Sequence, residues 1–175
     1  MKKIKLSQGY VALVDDRDYK RVSAFKWHAD VRKRADGTLY VIYATRWQWV
    51  SGKGKTRKGT TVLLHRFVLG VSDPKTEVDH KDHDGLDCRR KNLRKATKSQ
   101  NKGNQRKRRN TSSQYKGVHW NTADSVWIAT LGLGSVTKNV YLGSFSSERK
   151  AARAYDEAAR KHFGEFALTN FKEAL

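Results

Sequence analysis

The sequence predicts an α+β protein assembled from small units, and three observations lead to this prediction. Short runs typical of strands occupy residues 1–62, and a polar hairpin followed by a helix-start signal occupies the centre. Three further strand-type runs then precede a helical pattern near the C-terminus. A chain of 175 residues is long enough for such units but not for one large hydrophobic core.

Residues 1–62 are predicted to form a small N-terminal β-rich unit. Residues 10–14 and 27–31 are strand candidates, and the residues between them could form one or two helical turns. The dipeptide Asp36-Gly37 before the apolar run 39–45 favours a hairpin. We also expect an exposed basic loop, a strand, and a short helix that ends at Gly70, at residues 51–59, 61–64 and 65–69.

The central segment carries the densest group of functional side chains. Residues 77–80 and 93–97 are expected to pair as strands around a loop that contains Gly85. Thr97 and Gln100 fit a capping box, which would place Asn101 one turn into a helix. This arrangement can bring Asp79, His80 and Asn101 to one point.

These residue types suit phosphodiester hydrolysis. Aspartate and asparagine oxygens are ligands that Mg²⁺ prefers, and a neutral histidine can take a proton from water. The reaction needs an activated nucleophile and a cation beside the phosphate. An isolated Asp-His pair such as Asp79-His80 is more often a turn with a structural histidine, so the pair alone does not decide between the two interpretations.

The C-terminal part is predicted to be a three-stranded sheet packed on one helix, with the other sheet face open to a ligand. The strands are expected at 115–120, 126–133 and 139–145. The helix is expected at 147–163, with Ser146 as N-cap and Gly164 as its stop.

Charge indicates a polyanionic partner. The chain has 37 Lys and Arg against 17 Asp and Glu, a formal charge of +20, and eleven of the basic residues lie between 89 and 109 without an acidic one. Residues 102–113 hold almost no apolar side chain, so we expect a linker along phosphate there. A single cysteine, Cys88, excludes a disulfide framework and a cysteine-based zinc finger, and we expect neither a membrane span nor an export signal.

The central pattern resembles the HNH endonuclease motif, the ββα-metal fold of phage and intron-type homing endonucleases. The resemblance rests on Asp79-His80, the Gly-containing loop, Asn92-Leu93-Arg94, Thr97 and Asn101, with His65-Arg66-Phe67 upstream. It implies that His80 is the general base, that Asn92 ties the loop and orients His80, and that Asp79 and Asn101 bind Mg²⁺ or Mn²⁺. Whether His65 or His83 joins the site stays open.

The C-terminal part resembles the AP2/ERF DNA-binding domain. The resemblance rests on Tyr115-Lys116-Gly117-Val118, Tyr141-Leu142-Gly143-Ser144-Phe145, an Ala-rich helix and Asn170-Phe171. It implies that the sheet enters the major groove, through Lys116, His119, Trp120, Thr130, Lys138, Asn139 and Tyr141. In the basic run, phosphate contacts are expected from Arg89, Arg90, Arg94, Arg106, Lys107, Arg108 and Arg109.

The expected organisation is a β-rich unit (1–62), a nuclease core (63–104), a basic linker (105–112) and a DNA-binding domain (113–175). The expected function is that of a site-specific DNA endonuclease of the HNH homing type, acting on double-stranded DNA. It could act as a monomer, in the cytoplasm of a bacterium or a phage-infected host cell. The alternatives are a non-catalytic, sequence-specific DNA-binding regulator and an RNA-binding or ribosome-associated protein. Whether Trp27, Trp47 and Trp49 of the N-terminal unit lie in the core or face DNA stays open.

Overall fold

The fold was obtained as a computed structural model that describes residues 1–51, 58–133 and 139–172. Most of the predicted basic loop 51–59 lies outside these residues, as does Lys138. The protein is α+β, as predicted, and divides into two compact units, Met1–Lys95 and Ala96–Leu175. Among the described residues, no helix combines the length and the apolar character that crossing a membrane requires.

The first unit is built from short paired strands and two helices. In chain order its elements are β1 (Lys2–Lys5), β2 (Val11–Val14), α1 (Asp16–Ser23), β3 (His28–Lys33), β4 (Leu39–Ser51), β5 (Lys58–Leu63), α2 (Leu64–Leu69), β6 (Glu77–His80) and β7 (Leu93–Ala96). Strands β1 and β2 pair with each other, β3, β4 and β5 form a sheet in that order, and β6 pairs with β7. The last residue of β7, Ala96, is the first residue of the second unit.

Local signals explain where most of these elements begin and end. The hairpin at Asp36-Gly37 is confirmed, because Gly37 takes a φ of 77° and the Arg34 amide donates to the Thr38 carbonyl at 2.9 Å. The stop of α2 at Gly70 is also confirmed, with a left-handed φ of 65°. Strand β4 runs six residues beyond the predicted stretch, since its second half still pairs with β5.

The first unit has a hydrophobic core and several buried carboxylates, of which that of Asp18 is the least exposed. Trp27 lies in this core and is 3% exposed, whereas Trp47 and Trp49 are 62% and 59% exposed on β4. Asp18, at 2% exposure, accepts hydrogen bonds from Arg21 Nη2 and Arg90 Nε, both at 2.8 Å. The guanidinium of Arg90 also donates to the Val68 carbonyl of α2 at 2.7 Å. The carboxylate therefore joins α1, α2 and the segment that precedes β7.

The second unit is a sheet covered on one face by a helix. Its elements are α3 (Lys98–Asn104), β8 (Val118–Asn121), β9 (Val126–Gly132), β10 (Asn139–Phe145), α4 (Glu148–Phe163) and a 3₁₀ turn (Gly164–Phe166). The strands are ordered β10-β9-β8. The capping box of Thr97 and Gln100 at the start of α3 is confirmed. Strand β8 starts three residues later than predicted, because Gly117 turns the chain with a φ of 76°.

Two details of the second unit differ from the prediction. The N-cap of α4 is Ser147 rather than Ser146, and its side chain makes no capping hydrogen bond. The Glu148 carboxylate instead accepts from Ser113 Oγ at 2.7 Å and from the Gln114 amide at 2.9 Å. The segment 102–113 also contributes to the interior, because Gly103 is small enough to be buried and buried Ser113 is hydrogen-bonded.

Substituting Asp18→Asn should lower the free energy of unfolding of the first unit by about 1–3 kcal/mol at pH 7, because it weakens the partly buried charged hydrogen bonds from Arg90 and Arg21. Those bonds hold the pKa of Asp18 below its usual value, so the stabilisation is present at neutral pH. It should fade as the pH falls below about 4, where the carboxyl of the unfolded chain binds a proton. Urea unfolding of both proteins across this pH range measures the difference.

The control is Asp30→Asn, which breaks the exposed pair between Asp30 and Arg32. We expect this change to cost less than about 1 kcal/mol. Equal losses for the two variants would contradict a special role for the buried carboxylate.

Candidate functional site

The centre of the candidate site lies at the end of β6. Asp79 and His80 are its last two residues, and they are 5% and 7% exposed. The next residue, Lys81, donates its amide to the Asn92 carbonyl at 2.9 Å, which continues the pairing toward β7. An acidic and an imidazole side chain are thus both buried, at consecutive positions of one strand of the first unit.

Two further aromatic rings surround the His80 imidazole. The ring of His65, in the first turn of α2, lies edge-on to it with centroids 4.9 Å apart. The Tyr43 ring of β4 lies 5.4 Å from His65 and 5.9 Å from His80. His65, which the sequence left open, therefore contacts the candidate base. Tyr43 was missed, because nothing in a strand pattern marks one tyrosine as a neighbour of a residue 37 positions later.

Burial keeps both imidazoles neutral. It lowers the pKa of His80, although the carboxylates of Asp82, Asp79, Asp84 and Asp87 act in the opposite direction. For His65, burial lowers the pKa to about 3, and the positive charges of Arg66, of Arg32 and of His80 once it is protonated act in the same direction. Nδ1 of His65 is buried and has no hydrogen-bond partner among the described residues. A neutral His80 can accept a proton.

Asn92 holds the loop that follows His80. Its side-chain oxygen accepts from the Asp82 amide at 3.1 Å, and its Nδ2 donates to Asp82 Oδ1 at 2.8 Å and to the Asp87 carbonyl at 2.9 Å. The loop amides of Asp84 and Leu86 are satisfied by aspartate side chains two residues earlier. These bonds fix the backbone of the loop next to His80.

The same loop is also joined to the N-terminal strands. The Leu13 amide of β2 donates to the Leu86 carbonyl, and the Cys88 amide donates back to the Leu13 carbonyl, both at 2.9 Å. On its other side the loop touches β4 at Gly85, where a Cβ atom would lie 2.2 Å from the Ile42 carbonyl oxygen. The N-terminal β-rich segment therefore supports the site directly, which the sequence did not indicate.

The residues expected to bind metal offer suitable oxygens. The Asp79 carboxylate accepts from Arg94 Nε at 2.8 Å, and Asn101 lies half-buried in α3 of the second unit. A carboxylate oxygen and an amide oxygen are each of the kind that Mg²⁺ binds in proteins. Within residues 1–51, 58–133 and 139–172, no group of three or more His, Cys, Asp or Glu side chains is placed to hold a metal ion.

Three of the arginines expected on DNA form ion pairs inside the protein. Arg89 pairs with Asp87, Arg90 with Asp18, and Arg94 with Asp79. By contrast, the four basic residues of the predicted linker lie outside helices and strands, and three of them are exposed: Arg106, Arg108 and Arg109. Lys107 is half-buried, and its Nζ donates to the Arg108 carbonyl at 3.0 Å.

The predicted DNA contacts of the second unit lie on both faces of its sheet. Because side chains alternate along a strand, the register places four of them on the face away from α4, namely His119, Thr130, Asn139 and Tyr141. Trp120 points to the other face, where its ring lies 4.9 Å from that of Trp127. Lys116 precedes β8, and its Nζ donates to the Gly103 carbonyl at 2.6 Å. Tyr141, at 61% exposure, is the most exposed of the large apolar side chains on this face.

Replacing His65 with Phe should preserve the stability of the first unit at pH 7, because the ring packing is kept and a buried nitrogen without a partner is removed. His65→Ala should lower the free energy of unfolding by about 2–4 kcal/mol, since it leaves a cavity. Denaturant unfolding of the three proteins measures both effects. If His65→Phe lost as much stability as His65→Ala, the imidazole of His65 would have to make a hydrogen bond that phenylalanine cannot replace.

The same variants should differ in acid. The folded-state pKa of His65, about 3, lies below its ordinary value of 6.5, so between these values only the unfolded chain binds the proton. The wild-type protein should therefore lose stability relative to His65→Phe as the pH falls from about 6.5 toward 3. Parallel stability curves for the two proteins would contradict a buried, neutral His65.

Comparison with known proteins places relatives on both parts of the chain. An AP2-like ethylene-responsive transcription factor of Arabidopsis thaliana is 44% identical over 61 residues, which are 35% of this chain. A second such factor, from Oryza sativa subsp. japonica, is 45% identical over 60 residues. These matches cover the part of the chain outside the nuclease motif. The chain spans 11% and 9% of the lengths of these two factors.

The central part matches a different group. A family model described as HNH endonuclease matches residues 62–102, which include His65, Asp79, His80, Asn92 and Asn101. An uncharacterized HNH endonuclease of Acanthamoeba polyphaga mimivirus is 30% identical over 151 residues, covering 78% of this chain and 77% of that protein. The latter match extends over both units. The chain therefore belongs to the HNH endonuclease family.

Proposed function

We propose that this protein is a site-specific DNA endonuclease of the homing type that hydrolyses phosphodiester bonds with one divalent metal ion. The observation that carries the proposal is the position of Asp79 and His80. They lie together at the end of a strand, inside the segment that matches the HNH endonuclease family. The imidazole is held in an aromatic cluster and kept neutral by burial, the protonation state that a general base needs.

In this mechanism His80 takes the proton of the attacking water. Asn92 fixes the backbone that follows His80, and the rings of His65 and Tyr43 limit the orientations of the imidazole. Asp79 and Asn101 would hold Mg²⁺ or Mn²⁺, with Arg94 orienting the Asp79 carboxylate. When bound, the ion would supply positive charge for the phosphate and the leaving oxygen.

The second unit would read double-stranded DNA. Its likeness to proteins named as transcription factors and the exposed Tyr141 and His119 on the open sheet face support this role. The exposed arginines of residues 105–112 would bind phosphates without regard to sequence. Because the reading unit is asymmetric, we propose a monomer, associated with DNA in the cytoplasm of a bacterial or phage-infected host cell.

A non-catalytic DNA-binding regulator is the second candidate. Two observations favour it, namely the identity to plant transcription factors and the ion pair that already neutralises Asp79. The two functions differ in one measurable respect, because only the nuclease needs His80 for an effect on DNA.

The substitution His80→Ala should reduce cleavage about 10²–10⁴-fold while DNA affinity stays within twofold, since a general base contributes to the chemical step alone. Cleavage by the wild-type protein should require Mg²⁺ or Mn²⁺ and stop in excess chelator. A plasmid library of random sequence, incubated with each protein and each metal, supplies the substrate for nicking and for double-strand cleavage.

The matched control is His28→Ala, which removes an exposed histidine of the same unit. It should cleave at the wild-type rate. Circular dichroism tests whether the His80 variant remains folded, and His80→Gln provides a second variant of similar size. Unreduced cleavage by folded His80→Ala would remove His80 from the mechanism, and absent cleavage by the wild type would favour the regulator.

Changing Arg106, Lys107, Arg108 and Arg109 to Gln should weaken DNA binding without altering sequence preference. If all four contact phosphates, the slope of log K against log salt should become less steep by about 3–4. Fluorescence anisotropy on target and unrelated duplexes across a salt series measures the slope and the preference together.

An equal charge change elsewhere serves as the control. Lys3, Lys5, Lys20 and Lys26 are exposed in the first unit, and their change to Gln should leave most of the slope intact. If both sets reduced the slope equally, net charge rather than contact by the linker would explain the effect.

A further inference from the structure

The C-terminal end of α3 is built into the second unit. Gly103, the penultimate residue of α3, is buried against α4. A Cβ atom at this position would lie 2.6 Å from Cγ of Phe163 and 2.9 Å from its Cδ1. Since real Cβ atoms do not approach ring carbons so closely, only glycine lets α3 lie at this distance from α4.

The Gly103 carbonyl accepts two hydrogen bonds from other parts of the unit. Lys116 Nζ donates at 2.6 Å, and the Leu168 amide, beyond the 3₁₀ turn, donates at 3.0 Å. Carbonyls at the end of a helix have no partner within the helix and carry partial negative charge, so an ammonium group is a favourable partner there. The end of α3 is thus fixed by one charged and one neutral donor.

The surroundings of Lys116 hold its ammonium group at the Gly103 carbonyl and away from bulk solvent. The side chain is half-buried, and Nζ lies 5.8 Å from the centre of the Tyr155 ring. Burial lowers the pKa of Lys116 to about 8, while Asp156 acts in the opposite direction. A lysine that binds DNA phosphate is normally exposed to solvent, whereas Lys116 is half-buried beside an aromatic ring.

We propose that Lys116 is a positioning residue of the nuclease, which holds the end of α3 and through it Asn101. Asn101 lies two residues before Gly103 on a helix of only seven residues, so a displacement of its end displaces Asn101 as well. This inference rests on the proposed function, in which Asn101 binds the metal. It replaces the DNA contact that the resemblance assigned to Lys116.

Lys116→Met tests the inference, because methionine keeps an aliphatic stem and removes every donor. The whole chain of 175 residues is titrated with Mn²⁺ alone and followed by electron paramagnetic resonance, and its DNA affinity is measured separately by anisotropy. Mn²⁺ affinity should fall about tenfold, the lower range for residues that orient a metal ligand, while DNA affinity stays within twofold. Lys116→Arg, which retains donors, should recover most of the Mn²⁺ affinity.

A second pair of variants tests the same contact without Lys116. Gly103→Ala should also lower Mn²⁺ affinity, because its methyl group would collide with the Phe163 ring. Adding Phe163→Leu to Gly103→Ala makes room for that methyl group and should restore the affinity. Failure of the second change to restore binding would count against the packing of α3 as the cause.

The outcomes separate this inference from the proposed function. Asn101→Ala reports whether Asn101 binds the ion at all. If wild type binds Mn²⁺ and Asn101→Ala does not, unchanged Mn²⁺ affinity in Lys116→Met overturns only the positioning role. Loss of DNA affinity with unchanged Mn²⁺ affinity would return Lys116 to the DNA contacts. If wild type and Asn101→Ala bind Mn²⁺ equally, the proposed metal site fails and the inference fails with it.

Discussion

The first unit depends on the ion pairs that the buried Asp18 carboxylate forms with Arg21 and Arg90. The protein has more than twice as many basic as acidic residues, so few carboxylates are available to hold the basic side chains that lie inside. Asp18 binds Arg21 of its own helix and Arg90 of the segment before β7, and Arg90 reaches the end of α2 at Val68. Residues that follow Arg90 begin β7, which pairs with the strand of Asp79 and His80. The Asp18–Arg90 pair thus fixes the segment that leads into the partner strand of the candidate site.

The sequence predicted those features that short stretches of chain determine. Asp36-Gly37, Gly70 and the Thr97–Gln100 pair act through neighbouring backbone groups, so the hairpin and two helix ends could be predicted from them. The distant partners of individual charged side chains could not be predicted. Arg90 and Asp18 are separated by 72 residues, and nothing in the basic run marks which of its members meets a distant carboxylate.

The basic residues fall into two groups that composition cannot separate. Arg89, Arg90 and Arg94 neutralise aspartates within the fold, and Lys116 binds a helix carbonyl. The basic residues of the linker, 105–112, meet no carboxylate among the described ion pairs, and three of them, Arg106, Arg108 and Arg109, are exposed. A run of eleven basic residues thus combines structural and exposed charges, because each desolvated cation needs a nearby anion or carbonyl.

The burial of Cys88 makes its thiol a natural probe of local opening in the first unit. This cysteine is the only one in the sequence, has no exposed surface, and sits where the loop after His80 is joined to β2. Burial raises the pKa of its thiol, so the reactive thiolate is scarce while the fold is closed. Alkylation then requires the loop to leave β2 and β4. A thiol reagent can therefore modify the folded protein only when the first unit opens around Cys88. The modification rate reports this opening at a single atom, without an added label.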